Sequence, residues 1–462
     1  MRIRFAGILV AGMAIAGIAI GVAPSQGQSR DVAATADAKP AAQPTRHGRR
    51  HVRAAANAPS VPLPRQKPST KKPETKKTDI KKNETNKTET KQAPGQAQPP
   101  ERPQFTAADE AVAQIPGMPD ARFFADALPD FQRALPAQAG PWLILSTGGE
   151  EGAYGAGFLN GWLQAGNRPQ FAVITGVSTG ALMATYTFAG PQFAEQLHQV
   201  YTTISATDIF EVATTPESLV DTWPLAKMID KRVTPEMLAA VAAEYKNGRR
   251  LFVLTTDLDA GRTVVWNMGA IAAHGDDAAL KLFRQVLLAA ASIEGMFPPV
   301  LITVEANGRQ FQEMHGDGGA LGPLFFGPEP YLMPGSPLKL PATDLYVIFN
   351  GKLTTEFYVT SPTTAGILGR TIGLALKAGG RLQLALAGLA AQKAGIGFHV
   401  TYVAEAFDQV GRGLFDPKYM NALYDFGFAK GHSDDRFDKG PPMPAPPSPA
   451  VSAGTTGETA PK

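Results

Sequence analysis

The stretch FAVITGVSTGALM, Phe171–Met183, decides how this chain is read. An apolar run, Phe171–Ile174, leads into Gly176-Val-Ser178-Thr-Gly180, and a helix-like segment follows. A strand, a tight turn with serine at its apex, and a helix in that order describe a nucleophile elbow. A serine held in so sharp a turn needs neighbours without side chains, so that Oγ stays open to an approaching carbonyl. Gly-x-Ser-x-Gly is a loose pattern by itself; the strand before it and the helix after it carry the inference. Ser178 is the candidate nucleophile, with Gly176 and Gly180 as the motif glycines.

Two further segments join it. Upstream, PWLILSTGGEEGAYGAGFLNGWLQAG (Pro141–Gly166) reads as a buried strand, a glycine-rich loop, and a helix with Tyr154, Phe158, Leu159 and Trp162 at helical spacing. The N–H groups of Gly148 and Gly149, beside a helix N-terminus, suit a developing oxyanion. Neither a Lys-Ser/Thr pair nor a G-x-G-x-x-G spacing follows the strand, which argues against a nucleotide loop. Downstream, GRQFQEMHGDGGALGPLFF (Gly308–Phe326) sets Asp317 before Gly318 and Gly319, where the backbone turns and presents a carboxylate without obstruction. His315, two residues earlier, shares the Asp317 face of an extended segment and is expected to support it from behind or to act as a second base. The chain order Ser178, Asp317, His399 matches the Ser…Asp…His order of α/β-hydrolases. His399, however, lies in the strand-like run GFHVTYV rather than in a loop. His198 and His274 have no visible partner, and Asp257 with Asp259 reads as a strand-end turn, so no metal site is expected.

These three segments, in this order, resemble the patatin-like phospholipases, including exported bacterial members. The oxyanion loop of that family corresponds to Thr147–Gly152, its G-x-S-x-G to Gly176–Gly180 and its Asp-Gly-Gly to Asp317–Gly319. TTDLDAGRTVVWNMGAIA (Thr255–Ala272), AASIEGMFPPV (Ala290–Val300) and FDPKYMNALYDFGFAKG (Phe415–Gly431) are also similar to family sequence. The resemblance implies an acyl ester hydrolase acting on lipid esters. Ser178 would be its nucleophile, Asp317 its general base and the N–H groups of Gly148 and Gly149 its oxyanion hole, with no cofactor or metal and no nucleic-acid partner. Thr147, Glu150 and Glu151 depart from the family pattern, and two carboxylates near an oxyanion site oppose negative charge unless they turn elsewhere. Two rival readings are an α/β-hydrolase esterase with a Ser-Asp-His triad and a non-catalytic exported lipid-binding protein.

The ends of the chain speak to location. Arg2 and Arg4 precede the uncharged apolar run Phe5–Ala23, which fits either a cleaved secretory signal or an uncleaved anchor, with the remainder exported, whether periplasmic, secreted or anchored. Residues 24–105 are rich in Ala, Pro, Gln, Lys and Thr and read as a disordered linker, and 439–462 as a disordered Pro-rich tail. Residues 1–105 hold 19 Lys+Arg against 7 Asp+Glu, and the remainder 25 against 34. The net +3 of the chain thus conceals a basic tether on an acidic body, and the tether favours an anionic or membrane surface. With no cysteine, disulfides and thiol catalysis are excluded.

Residues 106–438 are expected to form the hydrolase domain with a C-terminal helical extension. Strand candidates at Trp142–Leu145, Phe171–Ile174, Leu251–Thr255, Val264–Trp266, Val300–Val304 and Leu345–Phe349 alternate with helical stretches. That alternation argues for an α/β protein with helices over a mainly parallel sheet, and the resemblance makes it a three-layer α/β/α patatin-like fold. Thr364–Lys393, interrupted at Gly379-Gly380, reads as two packed helices rather than a membrane span, with a membrane-surface role open to it.

Overall fold

The computed structural model describes residues 102–212, 218–332, 339–354, 356–357 and 359–439. The expected signal or anchor, most of the expected linker and nearly all of the expected tail lie outside them. Arg102 and Phe105, at the end of the expected linker, pack on the domain: Arg102 donates to Asp259 at 3.0 Å, and Phe105 stacks on Phe311 with centroids 4.4 Å apart.

A ten-stranded mixed sheet organises the domain. Its strands are β1 (Arg122–Phe124), β2 (Gly140–Leu145), β3 (Val173–Val177), β4 (Arg250–Asp257), β5 (Arg262–Asn267), β6 (Val300–Ala306), β7 (Arg309–Asp317), β8 (Ala342–Phe349), β9 (Gly397–Tyr402) and β10 (Asp438–Lys439). The centre, β4-β3-β2-β8-β9, is parallel. Antiparallel β5 and β1 extend one edge and β10 the other, while β6 and β7 form a hairpin joined to β4. All six strand candidates overlap strands; Phe171–Ile174 is displaced, its first two residues preceding β3, and several others are longer than expected.

Central strands read as unbroken apolar runs because both faces are covered. Leu143 and Leu145 of β2 face a core shared with α1 (Gly152–Gln164), α2 (Thr179–Ala189) and α3 (Asp277–Ala290). Trp142 and Ile144 face the opposite core, closed by Leu384, Ala387 and Ala391 of α4 (Thr364–Ala394). The α4 segment corrects the two-helix expectation: it is one helix of 31 residues. Gly379-Gly380 does not break it, because a glycine costs a helix only about 1 kcal/mol and close packing requires one here. A Cβ on Gly380 would stand 2.4 Å from the Phe349 ring. Among the described residues no helix is long and apolar enough to cross a membrane.

α1 is fixed against α5 (Pro417–His432) by backbone contact. A Cβ on Gly157 would stand 2.0 Å from the Tyr424 carbonyl oxygen, and one on Gly427 2.2 Å from that of Tyr154. Even a methyl group forces the helices apart, and α1 carries the glycine-rich loop at its N-terminus. Gly157→Ala is expected to lower stability by roughly 1–3 kcal/mol, the usual cost of overpacking; equal denaturation midpoints for variant and wild type would contradict this packing.

Candidate active site

β3 ends at Val177 and α2 begins at Thr179, so Ser178 alone makes the turn, at φ 57° and ψ −126°. A non-glycine residue in that region costs on the order of 1–3 kcal/mol and persists only where its surroundings enforce it. Here the crossing of strand and helix enforces it. A Cβ on Gly176 would meet the Gly180 carbonyl oxygen at 2.4 Å, and one on Gly180 would meet that of Leu145 at 2.5 Å. The first turn of α2 is tied down by Tyr201, whose hydroxyl donates to the Thr179 carbonyl at 2.8 Å and pairs with Thr179 Oγ1 at 2.7 Å.

Asp317 arrives from the opposite direction. β3 pairs with β4 up to Val177↔Leu254, and at the next position of β4 the partner is Asp317 of β7, opposite Thr255. β3 and β7 therefore occupy one lane along the same edge of β4 in opposite senses, and their ends meet at Ser178 and Asp317. Both residues are buried, at 6% and 4% exposure. Asp317 Oδ1 accepts from the Gly319 N–H at 2.7 Å, while Oδ2 has no hydrogen-bond partner. Burial pushes the Asp317 pKa up to about 7, against the lowering effects of the Ser178 side chain and the Gly319 N–H. A full Ser178–Asp317 hydrogen bond is not formed, as is common before substrate draws such a pair together.

The glycine-rich loop lies beside this pair. The Thr147 methyl group is 2.8 Å from where a Gly319 Cβ would stand, and the Thr147 N–H donates to Pro323 O at 3.0 Å. Asn350 clamps the loop from beneath, its N–H donating to Ser146 Oγ at 2.7 Å and Nδ2 to Ser146 O at 3.0 Å. Gly148 presses on Asn350, where a Cβ would meet its carbonyl oxygen at 2.5 Å, and Gly149 takes φ 56°. Gly148 caps and Gly149 opens a short 3-10 turn, Gly149–Glu151, ahead of α1, where N–H groups have no intrahelical acceptor.

Residues 143–327, which contain every group described so far except Asn350, match the family model for patatin-like phospholipase. This segment is similar to the patatin-like phospholipase family. The family is one of lipid acyl hydrolases in the general sense. Among solved structures, VipD from Legionella pneumophila is similar over 64% of this chain and 66% of its own, just under two thirds, at 10% identity and a TM-score of 0.33. No curated protein matches the chain in sequence.

Within the patatin-like domain the two loop carboxylates point away from the oxyanion site. Glu150 accepts from the Phe415 N–H, and burial raises its pKa. Glu151 lies beside Gly351 and near Lys377, Lys352 and Glu356, with burial pushing its pKa to about 7.

The histidine readings are corrected. His399 is bound to Asp344 at 2.9 Å and stacked on Tyr346. It is level with Tyr346, Leu143 and Ile174 across β8, β2 and β3, three lanes over and four residues short of Ser178. That is roughly 14 Å across and 13 Å along the sheet, so no Ser-Asp-His triad forms. His315 does lie behind the pair, opposite Asp257, but it touches Thr255 and Glu313 rather than Asp317. Trp266 Nε1 donates to Thr255 Oγ1 at 2.8 Å, the Thr255 hydroxyl pairs with His315 Nδ1 at 3.0 Å, and His315 Nε2 pairs with Glu313 at 3.1 Å. Among the described residues, Asp257, Glu313 and His315 are the one group whose ligand atoms lie close enough for a metal, within 4.8 Å. Arg122 already holds Glu313 through both oxygens at 2.5 and 2.6 Å, and Asp257 Oδ1 caps the turn at Asp259 and Ala260, as expected of a strand end. Arg122 thus supplies the cation that faces Glu313, while Asp257 Oδ2 is buried without a hydrogen-bond partner.

Glu294 was missed by the sequence reading. Its Oε1 is buried without a partner, 2.4 Å from where a Gly316 Cβ would stand, and its segment is tied to the Asp317 N–H through Ser292 O at 2.8 Å. Burial, with a further push from the Asp317 charge, raises its pKa to about 7. The only sequence signal is an acid inside the apolar block AASIEGMFPPV.

Because the folded pKa of Asp317 is raised, the folded state keeps a proton that the unfolded chain loses between the ordinary value of 3.8 and about 7. Stability falls as pH rises through that window, by a few kcal/mol in all. Asp317→Asn is expected to melt above wild type at pH 8, with the gap closing toward pH 4. A gap independent of pH would show that Asp317 ionises normally in the fold.

Proposed function

We propose that the chain is a serine acyl ester hydrolase that cleaves fatty-acyl esters of lipids through Ser178 and Asp317. The observation that supports it most is the meeting of a strained, buried serine and a partnerless carboxylate oxygen at the junction of β3 and β7. Ser178 Oγ attacks the ester carbonyl while its proton passes to Asp317 Oδ2. The N–H groups of Gly148 and Gly149 and the dipole of α2 stabilise the oxyanion. Asp317 then returns the proton to the departing alkoxide, leaving an acyl-serine. In the second half Asp317 takes a proton from water, hydroxide attacks the acyl carbonyl, and the Ser178 oxygen leaves with that proton. A carboxylate of ordinary acidity is a weak base for an alcohol, and burial that lifts Asp317 to about 7 lessens the mismatch. The apolar run Phe5–Ala23 behind Arg2 and Arg4 supports export, with the basic segment after it near an anionic surface.

The test is fluorophosphonate labelling and chromogenic ester hydrolysis of the full chain. Ser178→Ala is expected to abolish labelling and turnover, and Asp317→Asn to reduce kcat by at least about a hundredfold, the lower range for a general base. A folded wild-type protein that neither labels nor turns over would overturn the reading in favour of a lipid-binding role.

The pH profile follows from the same geometry. Asp317 works as a base only when ionised, so kcat/KM is expected to fall as pH drops through about 7. Glu294→Gln removes a neighbouring carboxylate that disfavours Asp317 ionisation, and should shift this acid limb to lower pH. An acid limb in the ordinary carboxylate range for wild type, or one unmoved in the variant, would contradict the assignment.

A further inference from the structure

We propose that the outer face of α4 is the surface on which this protein docks to an anionic lipid bilayer, a surface distinct from the basic N-terminal segment. Ile367, Leu374, Leu382, Leu386 and Leu389 are all exposed, Leu382 by 63% and Leu389 by 60%. At 100° per residue they fall within an arc of about 120°, one continuous apolar stripe along the helix. Phe357, in the segment that Arg370 and Lys377 tie to the helix through Glu356, is 96% exposed. Water-exposed apolar surface of this extent on one element marks a contact surface rather than scattered residues.

Charge and position select the occupant. From residue 106 onward the chain is acidic, yet Thr364–Ala394 carries Arg370, Lys377, Arg381 and Lys393 and no Asp or Glu, the first three also donating to Leu353, Thr354 and Glu356 beside the helix. A second copy would meet the stripe with its own α4 and set two basic helices against each other, whereas an anionic bilayer offers both an apolar interior and negative headgroups. Long basic side chains beside an apolar stripe suit that boundary. The same helix also reaches the candidate active site. Leu376 Cδ2 is 3.5 Å from where a Gly319 Cβ would stand, and Leu368 Cδ2 is 3.9 Å from the corresponding position on Gly295. A bilayer seated on the outer face would therefore bring acyl esters within one helix diameter of Ser178 and Asp317, which is where the inference builds on the hydrolase reading.

The chain has no cysteine, so a single introduced thiol reports one position in the full-length protein. Leu382→Cys and, as a control on the exposed edge of β6, Glu305→Cys are labelled with an environment-sensitive fluorophore and mixed with vesicles of phosphatidylcholine, with and without phosphatidylglycerol. The expected result is a blue shift and an intensity gain at position 382 alone, on the anionic vesicles, weakened by high salt. Replacing Leu374, Leu382 and Leu389 together by serine should reduce the vesicle-bound fraction at least about tenfold, given the apolar area lost, with unfolding midpoint unchanged. No change at position 382 with vesicles, or a change that appears with rising protein concentration in their absence, would overturn the proposal, the latter in favour of self-association. The readout needs no turnover, so docking by an inactive protein would separate failure of the hydrolase reading from failure of this one.

Discussion

The candidate site depends on the edge of β4 being shared end to end by two strands. β3 uses it as far as Leu254, and β7, running the other way, takes it from Thr255. Neither strand can be lengthened without colliding with the other, so each chain must leave the sheet at the junction. β3 leaves by a turn too tight for any arrangement but Ser178 with φ positive, and β7 leaves through Asp317-Gly-Gly. Serine and carboxylate are thereby brought together by the sheet itself. The Thr147 loop and Tyr201 then hold what the sheet has already placed.

Such a junction has an electrostatic consequence. It lies inside the domain, where an ionised carboxylate lacks water and Oδ2 of Asp317 lacks any donor. A structural carboxylate would be paired, as Glu313 is with Arg122. Asp317 is left half-satisfied, with Glu294, whose Oε1 also lacks a partner, nearby, and the pKa of each is raised to about 7. The same surroundings that disfavour its charge make it a stronger base, so stability and basicity move in opposite directions at this one residue. Glu150 and Glu151 are also pushed upward, but one is bound to a backbone N–H and the other lies among lysines, which keeps their charge from adding to that of Asp317.

What the sequence disclosed was local. The elbow, the glycine-rich loop and the Asp-Gly-Gly turn each state their geometry within a few residues, because a missing Cβ is a local fact with a steric cause. The parallel centre was legible from apolar runs of strand length. The lane shared by β3 and β7 was not, since pairing between residues as far apart as Val177 and Leu254 or Thr255 and Asp317 leaves no mark in either segment. The support from Asn350 and Tyr201, and the closeness of Glu294, were hidden for the same reason. Gly379-Gly380 misled for a different reason: a glycine pair within a helical pattern signals either a break or a close approach, and only the position of Phe349 decides between them. His399 bears out its strand-like setting: chain order alone matches a triad, but carries no information about lanes in a sheet.

α4 joins the two halves of the argument. A helix that served only to close the core behind Trp142 and Ile144 would need its Leu384, Ala387 and Ala391 side and nothing else apolar. Its opposite side would be expected to carry the acidic character of the rest of the domain. Instead that side carries a row of leucines flanked only by basic residues, on the same helix whose first half reaches Gly295 and Gly319. Core packing explains one face, contact with the site a second, and neither accounts for the third. Exposed leucines are costly to solubility, and a helix with every other position free to be polar retains them most simply where something apolar comes to rest.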